Sequence, residues 1–270
     1  GALNLTHGTV KIDDCTFQGN TSATSGGAVA FSEADVTVKD STFTGNCASS
    51  LMGGAIHIQG PSMPTSSAPY TPGNLDISGC TFRSNRAGYG GAISAANNVT
   101  LSLSDSTVSS NSADTNGGAI CSYQSTITMD GDLTGNSAGG DGGAIYSIWS
   151  TVDLNGTVSG NSATGNGGGI YTAANEFDEA FDGKINLLDA SVYNNTADKG
   201  GADIWQGSGN QMDLKEVGSD WVLKDDCDHA IDGWYDDSPD ARWSAHEKPL
   251  HAVEFTDFDR GSTTVSGPTY

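Results

Sequence analysis

Phe82-Arg83-Ser84-Asn85-Arg86-Ala87-Gly88-Tyr89-Gly90-Gly91-Ala92-Ile93 is the stretch on which the fold turns, because its outline returns along most of the chain. Its Gly-Gly-Ala-Ile end is matched at Gly26 to Val29, Gly53 to Ile56, Gly117 to Ile120, Gly142 to Ile145 and Gly167 to Ile170. A looser match is Gly200-Gly201-Ala202-Asp203-Ile204. The steps between them are 27, 37, 27, 25, 25 and 33 residues, which marks a stacked-repeat architecture. Ahead of each Gly-Gly stands an asparagine, giving the column Asn20, Asn46, Asn85, Asn111, Asn136, Asn161 and Asn195. Three residues before each asparagine lie Phe17, Phe43, Phe82, Val108, Leu133, Val158 and Val192, an unbroken apolar column. Two residues after it lie Ser22, Ala48, Ala87, Ala113, Ala138, Ala163 and Ala197.

Earlier in each repeat a short alternation appears, as in Val36/Val38, Leu75/Ile77, Leu101/Leu103, Ile127/Met129 and Val152/Leu154. Period two over such short spans means strands. Each repeat of about 26 residues then holds three short strands: the alternating pair, the segment ending in Phe-x-x-Asn, and the segment after Gly-Gly. One unit cannot bury its own apolar side, but stacked units bury it between neighbours spaced at about 4.8 Å. The reading is all-β: a right-handed parallel β-helix of seven to eight coils over residues 1–205, followed by an irregular cap or final coils over 206–270. Trp221, Trp234 and Trp243 in that last segment would cover the open strand edge.

The Gly-Gly pair fits a sharp corner that needs positive φ. For the asparagine column two readings stand. One is a stacked turn residue whose amide bonds to its equivalent one coil away; the other is an outward-facing recognition motif. Two excursions break the period. The first runs from Gly60-Pro61 to Pro72-Gly73, and the second lies around Ala174 to Gly183, with Phe177 and Phe181 as candidate ligand contacts.

Composition narrows the function classes. With 33 Asp+Glu against 11 Lys+Arg the formal net charge is −22, which disfavours nucleic acid and anionic membranes as partners. No run approaches the ~18 apolar residues of a membrane span, so no direct membrane insertion is expected of these residues. Gly1-Ala2-Leu3 reads as the tail of a Gly-Gly-Ala-Ile unit, so the chain is expected to be part of a longer protein. The 5 cysteines form no CxxC pair. Cys15 and Cys80 share a column with Ser41 between them, about 10 Å apart and out of bonding reach.

The combination of Phe-x-x-Asn and Gly-Gly-Ala-Ile resembles the polymorphic outer-membrane protein family of chlamydiae and related bacterial surface adhesins. It stands complete at Phe17/Asn20 with Gly26 to Val29, at Phe43/Asn46 with Gly53 to Ile56, and at Phe82/Asn85 with Gly90 to Ile93, and the likeness spans about residues 1–205. What the resemblance implies is a secreted, autotransporter-like passenger on the bacterial cell surface, partnered by a host-cell protein or glycan receptor and without catalysis.

Parallel β-helices also carry polysaccharide lyases and hydrolases, so a carbohydrate-active enzyme is the rival reading and a structural stalk the third. The acids that a lyase or hydrolase needs would come from the column Asp14, Asp40, Gly79, Asp105, Asp130, Asn155 and Asp189. Interchange of Asp, Asn and Gly at one position is the habit of a turn. Calcium is the ion such a column would attract, yet the Gly-Gly-x-Gly-x-Asp nonapeptide is missing, so no cofactor is assigned. One further column holds His57, Tyr146, Tyr171 and Trp205, an aromatic stripe suited to sugar rings or protein side chains.

Overall fold

The computed structural model describes residues 1–61, 72–173, 184–187 and 190–207, together with the strands Gln211–Leu214, Glu216–Val217, Asp220–Trp221 and Trp234–Asp236. The described residues form a right-handed parallel β-helix. Its shortest face is a 7-stranded sheet of the segments that follow each asparagine, from Thr21–Ser22 to Thr196–Ala197. Seven rungs are separated by six steps, so the described solenoid makes about six full turns against the seven to eight coils expected. Gln211–Leu214 pairs in parallel with Lys184–Leu187, and Trp234–Asp236 with Ile204–Gln206, so two strand columns run on past residue 206.

Stacking in register puts like residues on like. Val29, Ile56, Ile93, Ile120, Ile145, Ile170 and Ile204 form one interior column. Val36, Leu75, Leu101, Ile127, Val152 and Ile185 form a second. Phe17, Phe43 and Phe82 stack face to face at 4.8 and 4.7 Å before Val108, Leu133, Val158 and Val192 continue the third. Apart from Phe17 these side chains are almost wholly buried, each removing from water an area worth about 1.5–3 kcal/mol.

The strands are less evenly divided than three to a coil. Val29–Lys39 joins the segment after Gly-Gly to the alternating pair, and Val99–Ser109 joins that pair to the Phe-x-x-Asn position. Each join bends at a single left-handed residue, Glu33 at φ 51° and Asp105 at φ 48°, which turns the chain while the pairing continues on both sides.

The two glycines of each pair serve different ends. Only the first is left-handed, as at Gly53 (φ 69°), Gly117 (φ 70°) and Gly142 (φ 69°). The second admits no side chain, because a Cβ on Gly54 or Gly118 would run into the carbonyl oxygen of Gly91 or Gly143 in the next coil. In the last rung the left-handed residue is Gly201 (φ 62°), and Ile170 pairs with Ile204. The equivalent four residues there are Gly201-Ala202-Asp203-Ile204, with Asp203 standing where other coils have alanine or glycine.

The asparagines are interior. Asn46, Asn85, Asn111, Asn136 and Asn161 are at most 1% exposed, and Asn195 is buried as well. Each Oδ1 accepts both the backbone N–H and the Nδ2–H of the asparagine one coil earlier, as Asn111 does from Asn85 at 2.9 and 2.9 Å. Each Nδ2 also donates to the carbonyl of the earlier coil's apolar residue, Asn111 to Phe82 at 3.1 Å. The run ends on a carboxylate, since Asp203 Oδ1 takes the N–H and Nδ2–H of Asn195 at 3.2 and 2.8 Å. Asp203 therefore closes the ladder as its seventh acceptor, after six asparagines, since Asn20 at the other end only donates.

Candidate ligand-contact surface

Because the repeated motifs face inward, contact with a ligand falls to side chains on the outer faces and corners. The aromatic stripe lies one residue past the interior isoleucines, with Cys121 paired to Tyr146, Tyr146 to Tyr171 and Tyr171 to Trp205. Tyr146 and Tyr171 stack at 5.1 Å with their rings 16° apart, and all three aromatics are half-buried. Burial, reinforced by Tyr171, Cys121, Asp141 and Tyr89, holds the Tyr146 phenol protonated well above the usual tyrosine range. Toward the N-terminal end the column closes over: His57, Ser94 and Cys121 are at most 8% exposed, and burial pushes the Cys121 thiol up to about 12. His57 is thus a buried side chain and contributes no surface. Phe177 and Phe181 lie outside the described residues.

Burial lowers the His57 imidazole to about 4, and its Nδ1 has no hydrogen-bond partner. The unfolded chain protonates this histidine near 6.5, so between there and about 4 the unfolded state binds a proton that the folded state refuses. Stability from this group is present above about pH 6.5 and is lost as the pH falls through that window, reaching about 3 kcal/mol near pH 4. A His57→Ser chain, which borrows the side chain of Ser94 one coil on, is expected to lose that part of the acid slope. Urea midpoints of both chains near pH 7 and pH 4 measure it; parallel slopes would refute it.

The acidic column resolves into corners. Asp14 (φ 47°), Asp40 (φ 45°), Gly79 (φ 61°) and Asp105 (φ 48°) are left-handed turn residues. Asp130 drops out of that column, since the shorter coil pairs it with Ser104 and leaves Asp105 opposite nothing. No group of three or more His, Cys, Asp or Glu side chains among the described residues is arranged to hold a metal ion. The small-residue column of Cys15, Ser41, Cys80 and Ser106 is a second internal ladder. In it the N–H groups of Cys15 and Cys80 donate to Ser41 Oγ and Ser106 Oγ at 3.0 Å each, and Ser41 N–H to Cys80 Sγ at 3.4 Å.

A different corner carries side chains that the motif reading passed over. Four residues after each interior Leu, Val or Ile stand His7, Glu33, Gly60, Asn97, Gln124 and Trp149, stacked in successive coils. Five of them are left-handed: His7 at φ 59°, Glu33 at 51°, Asn97 at 59°, Gln124 at 47° and Trp149 at 53°. His7 Nε2 lies 3.2 Å from Glu33 Oε2 on the exposed surface. Beside the corner, Tyr123 contacts Trp149 with ring centroids 4.9 Å apart and rings tilted by 45°. The fixed offset of four from each Gly-Gly-Ala-Ile end was the signal available in the sequence.

Residues 2–134 match the family model described as right handed beta helix region. Residues 131–148 and 155–173 match the Chlamydia polymorphic membrane protein repeat, which covers the coils where Phe has become Leu133 and Val158. No curated protein and no solved structure matches the chain. The two matches agree with the stacked asparagine and Gly-Gly columns, and the chain is similar in its fold to right-handed β-helix regions and in two of its coils to the polymorphic membrane protein repeat.

Proposed function

We infer that this chain is the passenger region of a bacterial adhesin, displayed outside the cell and binding host or microbial surface ligands without catalysis. The observation that carries the reading is the division of labour in the coil. The repeated residues are all turned inward to hold a stiff rod, while the outer corners vary from coil to coil, as His7, Glu33, Asn97, Gln124 and Trp149 do. A rod of this kind gathers affinity from many weak contacts along its length. The partner is a host-cell protein or a glycan rather than a nucleic acid, consistent with the net charge of −22. The cap or final irregular coils expected over 206–270 lie outside the described residues, apart from Gln206, Gly207 and the short strands given above.

The test is retention of the purified chain on immobilised glycans and extracellular-matrix proteins, with the supernatant assayed for released sugar. Retention without release is expected. Released sugar would replace the adhesin with a carbohydrate-active β-helix enzyme, and neither retention nor release would leave a structural stalk.

A further inference from the structure

Two left-handed corner columns run along the rod, and they differ in a way that local sterics does not explain. The first holds Asp14, Asp40, Gly79 and Asp105, residue types that tolerate positive φ. The second holds His7, Glu33, Asn97, Gln124 and Trp149, of which only His7 and Asn97 are of types favoured there. Tryptophan is the extreme case, because a bulky side chain in this conformation is a true outlier and such strain persists chiefly where function requires it. The neighbouring coil places Gln124 in the same corner and the one before it Asn97, so nothing in the fold demands an indole.

At that corner the half-buried Trp149 and Tyr123 rings meet at 4.9 Å, and Gln124, Asn97 and Asn98, also half-buried, occupy the neighbouring positions of the same and the preceding coils. Aromatic faces offer apolar stacking, and side-chain amides offer a donor and an acceptor each. Together they suit the C–H faces and hydroxyls of a sugar ring. The molecule's charge of −22 sets the class further, since a sulfated, sialylated or uronic-acid glycan would be repelled. We propose that the Trp149–Tyr123 corner, with Gln124, Asn97 and Asn98, is a binding site for neutral glycans, one hexose ring stacking on the aromatic pair. This deepens the adhesin reading and rests on it.

The experiment uses the whole chain and two replacements borrowed from adjacent coils: Trp149→Asn, after Asn97, and Tyr123→Ile, after Ile148. Binding is measured to immobilised cello-oligosaccharides and N-acetylglucosamine oligomers, to heparin, and to matrix proteins, alongside melting temperatures. The parent chain is expected to bind the neutral oligomers and not heparin, and each replacement to weaken that binding by about tenfold or more. The melting temperature of the Trp149→Asn chain is expected to be unchanged or raised, because asparagine is at ease at positive φ. Neutral-glycan binding that survives both replacements would overturn the site and leave the adhesin reading standing. Binding to matrix proteins alone, or to heparin as strongly as to neutral oligomers, would overturn the ligand class. A lowered melting temperature for Trp149→Asn would make the indole a packing residue. Retention on none of the surfaces would remove the adhesin reading and the site with it.

Discussion

Asn111→Ala is expected to lower the stability of the rod by about 3–6 kcal/mol, a large share of the roughly 5–15 kcal/mol that folded domains usually possess. The asparagine is 1% exposed and lies in the middle of the ladder. Removing it orphans the backbone N–H and one Nδ2–H of Asn85, and the carbonyl of Phe82 loses its side-chain donor. Each buried polar group left without a partner costs about 1–3 kcal/mol, and water cannot reach these. Asn136 keeps the bond from the backbone of residue 111, so the damage runs toward the N-terminal coils. Asn20→Ala supplies the comparison: it is only half-buried, and its Nδ2 gives a single 2.9 Å bond to Asn46, so about 1 kcal/mol or less is at stake. Urea unfolding followed by circular dichroism measures both. A loss below about 1 kcal/mol for Asn111→Ala would show the ladder to be a passenger of the packing rather than a part of it.

Gly118→Ala is expected to be worse, preventing the chain from accumulating in folded form. The added methyl would meet the carbonyl oxygen of Gly143 and, at 2.6 Å, both the backbone N and O of Ser137. All three are main-chain atoms held by pairing to their own neighbours, so relief requires adjacent coils to part. The cost belongs with the exceptional ones, above about 4 kcal/mol. Gly135→Ala separates this from simple turn strain. Gly135 is left-handed at φ 63°, yet its nearest neighbour would be Ser110 Oγ at 4.0 Å. Only the conformational cost applies there, about 1–2 kcal/mol. Soluble yield, melting temperature and resistance to limited proteolysis distinguish the two. Equal behaviour of the two variants would refute the close-approach account of the second glycine.

The interior columns and the parallel stacking were legible because they depend on spacing and alternation, which are properties of one chain segment at a time. Ile56, Ile93, Ile120, Ile145 and Ile170 pair in register as their shared place in the motif requires. The asparagine column was legible as a column, but its direction was not. Whether an amide faces solvent or the next coil depends on a partner 25 to 39 residues away, as with Asn111 and Asn136 or Asn46 and Asn85. The role of the second glycine likewise lives in the following coil, where the Gly91 carbonyl leaves Gly54 no room for a Cβ.

Asp203 shows the same boundary from the other side. Read along the chain it is an acid interrupting Gly-Gly-Ala-Ile; in the rod it is a 0% exposed acceptor that closes seven asparagines. Trp149 and Tyr123 were passed over because neither belongs to a repeated motif. Their meeting requires a left-handed corner in one coil and a tyrosine in the coil before. Period and apolar alternation, written locally, determined that this chain winds into a parallel β-helix. Which side chains the winding turns inward and which it leaves at the corners was decided only when each coil met its neighbour, because orientation is set by backbone handedness and by hydrogen bonds between residues distant in sequence.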